Sequence, residues 1–175
     1  MAVRNNPKIW IVCAVAAGVL WGALRPLFMQ ADDLAVLIAN LHQFSANFRA
    51  DDIRLANIWL SLFRHGHILL LIWACSAVPR MFWAVYLLIY MRVMTLAFSA
   101  ALMIRAFGSQ GILMFASLNL LQNVLILTIA SFIICAIRRD EPPKKVILIS
   151  LAVSAVILAS LYEIFIAPIV FGGVL

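Results

Sequence analysis

The sequence predicts an all-α integral membrane protein: a bundle of about five transmembrane helices with one amphipathic extracytoplasmic segment between the first two. Three observations carry that expectation. The 175 residues are 66% apolar and 11% charged, whereas a soluble domain is about 45–50% apolar and about 25% charged. A chain of this length cannot enclose so much apolar surface in a core of its own. The net charge of +6 is spread over the ends of the apolar runs. There it sets orientation rather than offering nucleic acid a basic patch.

The whole chain, 1–175, reads as a single membrane domain. Crossing roughly 30 Å of hydrocarbon takes about 20 mostly apolar residues. The first run, about 9–29, follows Arg4 and Lys8. Bulky Trp21, Leu24 and Arg25 occupy the place where a signal peptidase needs small residues, so the run reads as an uncleaved signal anchor. Residues 30–62 are mixed in character, with Asp32, Asp33, His42, Asn47, Arg49, Asp51, Asp52 and Arg54. Leu34, Leu37, Ile38 and Leu41 recur at helical spacing, as in a helix lying on a membrane surface, and Trp59 suits the headgroup level.

The second run is centred on "ILLLIWACSAV" and needs to start near Phe63 to reach spanning length, giving 63–79. The third, 81–104, carries Arg92 near its middle. The fourth, 111–137, ends in Arg138, Arg139, Asp140, Glu141, Pro142 and Pro143. The fifth, 146–170, follows Lys144 and Lys145 and holds Glu163 and Pro168 in its last turns. Four spans with a re-entrant hairpin at Pro79 are the alternative count. Basic residues flanking the spans favour a cytoplasmic N-terminus and an outside C-terminus: Arg4, Lys8, Arg80, Arg138, Arg139, Lys144 and Lys145 then fall inside. Cys13, Cys75 and Cys135 lie within apolar runs without C-x-x-C spacing and read as small hydrophobes.

Within the spans, Ala14, Gly18 and Gly22 stack on one face at four-residue spacing, which lets a second backbone come close. A homodimer contact and a contact within the chain both fit. Ala97 and Ala101, Ser150 and Ser154, and Ala155 and Ala159 repeat the device. Asn119, Gln122 and Asn123 share a helix face near the midplane of the fourth run, at the depth of Arg92 in the third. A charge at that depth needs a partner or water, so the amides are expected to solvate the guanidinium. His65 and His67 point about 200° apart on a helix and make a poor chelate, so Arg64–His67 reads as a polar helix entrance. No phosphate-binding glycine loop, nucleophile elbow, H-E-x-x-H or intramembrane carboxylate pair occurs. The expectation is a protein that is not an enzyme and holds no cofactor or metal.

These residues bring a family into view. Ile58 to Ile134 resembles the membrane domain of the stage II sporulation protein M family. "LLLIWACSAVP", Leu69 to Pro79, is similar to that family's "LLLIW" followed by small residues and a proline. "AFSAALMIRAFGSQGILMFASLNLLQN", Ala97 to Asn123, resembles its "GFTVGFL…G…G(L/I)L…LPQN", and Gly18 and Gly22 match its first-helix glycines. Pro79, Gly108, Gly111, Gln122 and Asn123 are the most specific matches. Val93, Ala97, Ala101 and Leu121 depart from it, standing where the family has three glycines and a proline.

The resemblance implies a non-catalytic membrane scaffold in a spore former. It would recruit peptidoglycan hydrolases, the stage II sporulation proteins D and P, to the engulfing membrane. Besides membrane lipid and those hydrolases, a second copy of the chain is a possible partner. Asp51 and Asp52, in the outer segment, are the expected docking residues. A transporter-like permease subunit with a polar midplane pathway is the competing expectation.

Overall fold

The computed structural model describes residues 7–47, 55–78, 81–137, 145–167 and 169. Asp51, Asp52, Pro79, Arg80 and the basic cluster at 138–144 lie outside the described residues, and so does the re-entrant alternative at Pro79. Among the described residues every regular element is helical: α1 (Pro7–Leu24), α2 (Ala31–Asn47), α3 (Leu55–Ala77), α4 (Phe82–Phe107), α5 (Ser109–Phe115), α6 (Leu121–Ile137) and α7 (Lys145–Leu161). A 3₁₀ turn, Arg25–Leu27, extends α1. π-helical turns follow α5 (Ala116–Leu120) and α7 (Tyr162–Ile166).

Among the described residues five stretches are long and apolar enough to cross a membrane: Pro7–Leu27, Ile58–Ala77, Trp83–Phe107, Ser109–Ile137 and Ile147–Ile166. The protein is an all-α, multi-pass membrane bundle. Large apolar side chains such as Leu20, Leu70, Trp83 and Leu113 stand exposed around it. Such a belt would drive a soluble protein to aggregate, and in a bilayer it simply meets acyl chains.

The second span begins earlier than its hydropathy suggests. α3 runs unbroken from Leu55, so residues 55–62 are its first two turns rather than part of a surface segment. No proline interrupts them, and a single helical glycine such as Gly66 costs only about 1 kcal/mol. The surface helix is therefore α2. Asp32 and Asp33 in its first turn complement the N-terminal dipole. Its stripe of Leu34, Leu37, Ile38 and Leu41 is half-buried, while Asp32, Asp33, Asn40 and Gln43 stay exposed. The His42 ring meets Phe107 at 4.7 Å between centroids, which fixes α2 at the end of α4.

α4 and α5 form a hairpin on one glycine. Gly108 adopts φ 61° and donates its N–H to the Ile104 carbonyl at 2.8 Å, a conformation that glycine takes at least cost. The return is so tight that a Cβ on Gly111 would run into the Met103 backbone.

α1 lies along α4 on the ladder seen in the sequence. Gly18 faces Tyr90 and Val93, and Gly22 faces Met94 and Ala97, all in the same chain. Ala14 packs half-buried against the core, whose centre is Ile72, Val85, Ile89, Ile126, Ala130 and Ile134. Ala101 is half-buried farther along α4. In α7 one of the two expected small-residue pairs faces inward and the other does not. Ala155 and Ala159 are buried, but Ser150 and Ser154 face outward, because they sit on a different side of the helix. Cys75 and Cys135 pack against the core, whereas Cys13 is exposed on the α1 surface.

Candidate functional site: two embedded polar clusters

The first cluster lies at the midplane. Asn123 is the central residue of the Ser109–Ile137 span, 14 residues from either end. Arg92 is nine residues past Trp83, about 14 Å along its helix. The structure brings the two together: Arg92 Nε donates to Asn123 Oδ1 at 2.9 Å. Asn123 turns its amide nitrogen to the Asn119 carbonyl, 2.6 Å away. It thus presents only its oxygen, the atom a guanidinium requires.

Gln122 does not join this bond. Its Nε2 donates to the Leu118 carbonyl at 2.9 Å, and its Oε1 is buried without a hydrogen-bond partner. Gln122 and Asn123 are buried and Asn119 half-buried. Gln122 and Asn123 are adjacent in α6, about 100° apart around the axis, and it is Asn123 that meets Arg92, while Asn119 lies in the π turn that precedes them.

The second cluster was not visible as a unit in the sequence. Glu163 accepts hydrogen bonds from three residues of α3. Ser61 donates its hydroxyl to Oε2, Arg64 Nη1 reaches Oε1 at 2.7 Å, and His65 Nε2 lies 3.0 Å from Oε2. His65 is fully buried and the Glu163 side chain is 22% exposed, while Arg64 keeps 49% of its surface. The expected helix entrance thus applies to His67, whose Nδ1 lies 2.8 Å from the Phe63 carbonyl and not near Glu163. His65 instead turns into the bundle. Residues 61, 65 and 72 recur on the buried face of α3, which sets the histidine against α7.

Depth could have revealed this pairing. Glu163 lies three residues from the end of the fifth span at Ile166, and His65 seven residues from the start of the second at Ile58. With antiparallel helices, that places both within about 5–11 Å of the same face. An acid in hydrocarbon needs a cation at its own depth, and Arg64 and His65 are there.

A third contact ties the two π turns to each other. Tyr162 opens the second of them, and its hydroxyl donates to the Ser117 carbonyl in the first at 2.9 Å. A π turn leaves a carbonyl outside the regular i→i−4 ladder, and in lipid such a group needs a protein donor. The phenol supplies one. Ser117 Oγ closes on the Met114 carbonyl at 2.9 Å. Each of these polar groups joins one helix to another or to its own backbone.

Among the described residues no group of three or more His, Cys, Asp or Glu side chains could hold a metal ion. Glu163, the one carboxylate of the second cluster, is already engaged by three donors. Compared with protein-family models, with curated proteins and with solved structures, the chain matches none.

Proposed function

We propose that this chain is a non-catalytic membrane scaffold that recruits and positions peptidoglycan hydrolases during sporulation. The partners would be the stage II sporulation proteins D and P, as the resemblance at Leu69–Pro79 and Ala97–Asn123 implies. The observation that supports a docking role is α2. It rests its apolar stripe on the end of the bundle and leaves Asp32, Asp33, Asn40 and Gln43 exposed. A partner can bury the remaining apolar area there, including exposed Val36, while the polar positions select it.

The flanking basic residues support an orientation with this face outside the cell and the N-terminus inside. A hydrolase acting on the wall works on that side. The embedded polar groups support the same reading, because each bonds another group within the bundle: Arg92 Nε to Asn123, Arg64 and His65 to Glu163, Tyr162 to Ser117.

Co-isolation of the two hydrolases with the full chain in mild detergent tests the proposal. The parent protein is expected to retain both. Charge reversal at Asp51 and Asp52, or lysines in place of Asn40 and Gln43, is expected to release them with membrane insertion unchanged. Undiminished recovery with both variants would remove the outer segment from the docking role.

A further inference from the structure

Arg92 carries a charge that the described part of the chain does not balance. Asn123 gives it a carbonyl oxygen at 2.9 Å but no counter-charge. Glu163 is close enough for its charge to be felt at Arg92, and so is Arg64, which acts with the opposite sign. That carboxylate is already held by Arg64, Ser61 and His65. Among the described residues Arg92 therefore has no carboxylate of its own.

The Arg92 side chain is half-buried, and its hydrogen bond to Asn123 uses Nε. A guanidinium has four more N–H donors, in a fork suited to a carboxylate. About 14 Å along the helix axis separate Arg92 from Trp83, and the distance to Phe107 is longer still. Both exceed the length of an arginine side chain, so a lipid phosphate is out of its reach. The face beside it is built for a helix. Thr95 and Ser99 follow at three and seven residues, and each closes its hydroxyl on its own backbone, at 2.8 and 3.0 Å. They are small and hydrogen-bonded internally, which allows close approach of a second backbone.

We infer that Arg92 is an intramembrane docking point for a partner protein that carries an aspartate or glutamate in the middle of its own transmembrane span. The carboxylate supplies the missing charge, and the Arg92–Thr95–Ser99 face receives the partner helix. Desolvation makes the pair selective, because a span with a neutral or basic centre leaves the guanidinium unpaired. This contact is separate from the α2 surface and stands whether or not hydrolases dock there.

The test uses the full-length protein reconstituted in phosphatidylcholine vesicles with synthetic single-span leucine–alanine peptides. The peptides carry glutamate, glutamine, lysine or leucine at the midpoint, and association is read by energy transfer. The glutamate peptide is expected to bind at least tenfold more tightly than the leucine peptide, with the lysine peptide weakest. Arg92→Met is expected to erase the glutamate preference and Arg92→Lys to keep part of it. Comparing peptides on the parent protein needs no variant to fold. Equal binding of the glutamate and lysine peptides, or a glutamate preference that survives Arg92→Met, would overturn the inference. No hydrolase is present, so this result is independent of the scaffold reading.

Discussion

The α1–α4 seam and the α3–α7 seam hold helices together by opposite means. Where α1 crosses α4, contact is by close packing: Gly18 and Gly22 let the backbones approach until a Cβ at Gly18 would sit 2.9 Å from the Tyr90 carbonyl oxygen. Between α3 and the turn after α7, one carboxylate gathers a serine, an arginine and a histidine. Lipid offers helices no hydrophobic drive to associate, so an interface must use either close packing or polar bonds. This bundle uses one kind on each side. The first seam is set by volume and is sensitive to any added side chain. The second is set by pairing and is sensitive to the loss of a partner.

The largest effect is expected at the first seam. A Cβ at Gly22 would already collide with the Met94 carbonyl and crowd Ala97. Gly22→Leu should therefore separate α1 from α4 and abolish folded, detergent-stable protein, as read by size-exclusion chromatography. Gly18→Ala, whose nearest backbone contact is longer, should lower thermal stability without unfolding the bundle.

At the second seam, Glu163→Ala leaves Arg64 and His65 without their acceptor. Breaking a buried pair typically costs about 3–5 kcal/mol, and partial exposure puts this case near the lower figure. Arg64→Ala should cost clearly less, because half of that side chain is already exposed. Thermal unfolding of the two variants in one detergent checks the order, and a larger loss for Arg64→Ala would refute the account of the cluster.

Gly66 sharpens the contrast from the opposite direction. Unlike Gly22, it has open space where a Cβ would stand, on the wall of an apolar groove of about 440 Å³ shared with Leu69, Trp73, Leu148 and Ile157. Gly66→Ala should be neutral or stabilising by up to about 1 kcal/mol, because alanine is the better helix former. A destabilised Gly66→Ala protein would mean that the groove is closed in the membrane.

The first seam was legible in the sequence and the second was not, for physical reasons. Small residues four apart declare a close helix face by themselves, so Gly18 and Gly22 could be read locally, although their partner could not. Arg92 was readable because its depth could be matched to the fourth-span amides. Glu163 and His65 are 98 residues apart, and matched depth alone brings them to one face without pairing them. Their contact depends on how α3 and α7 are rotated, which helix packing decides. The π turns carry no proline or glycine to announce them. Which of the buried amides in α6 meets Arg92 depends on how that helix is rotated against α4, and Asn123 rather than Gln122 faces it.

The central claim is that the embedded polar groups brace helices rather than line a route across the membrane. Asn119, half-buried beside the Arg92–Asn123 bond, is the place to ask. In a protein with Cys13, Cys75 and Cys135 replaced by serine or alanine, Asn119→Cys is exposed to a water-soluble thiol reagent from each side of sealed vesicles. The account predicts no labelling from either side. Labelling from both sides would show a water-filled path at the midplane and contradict it in favour of a permease.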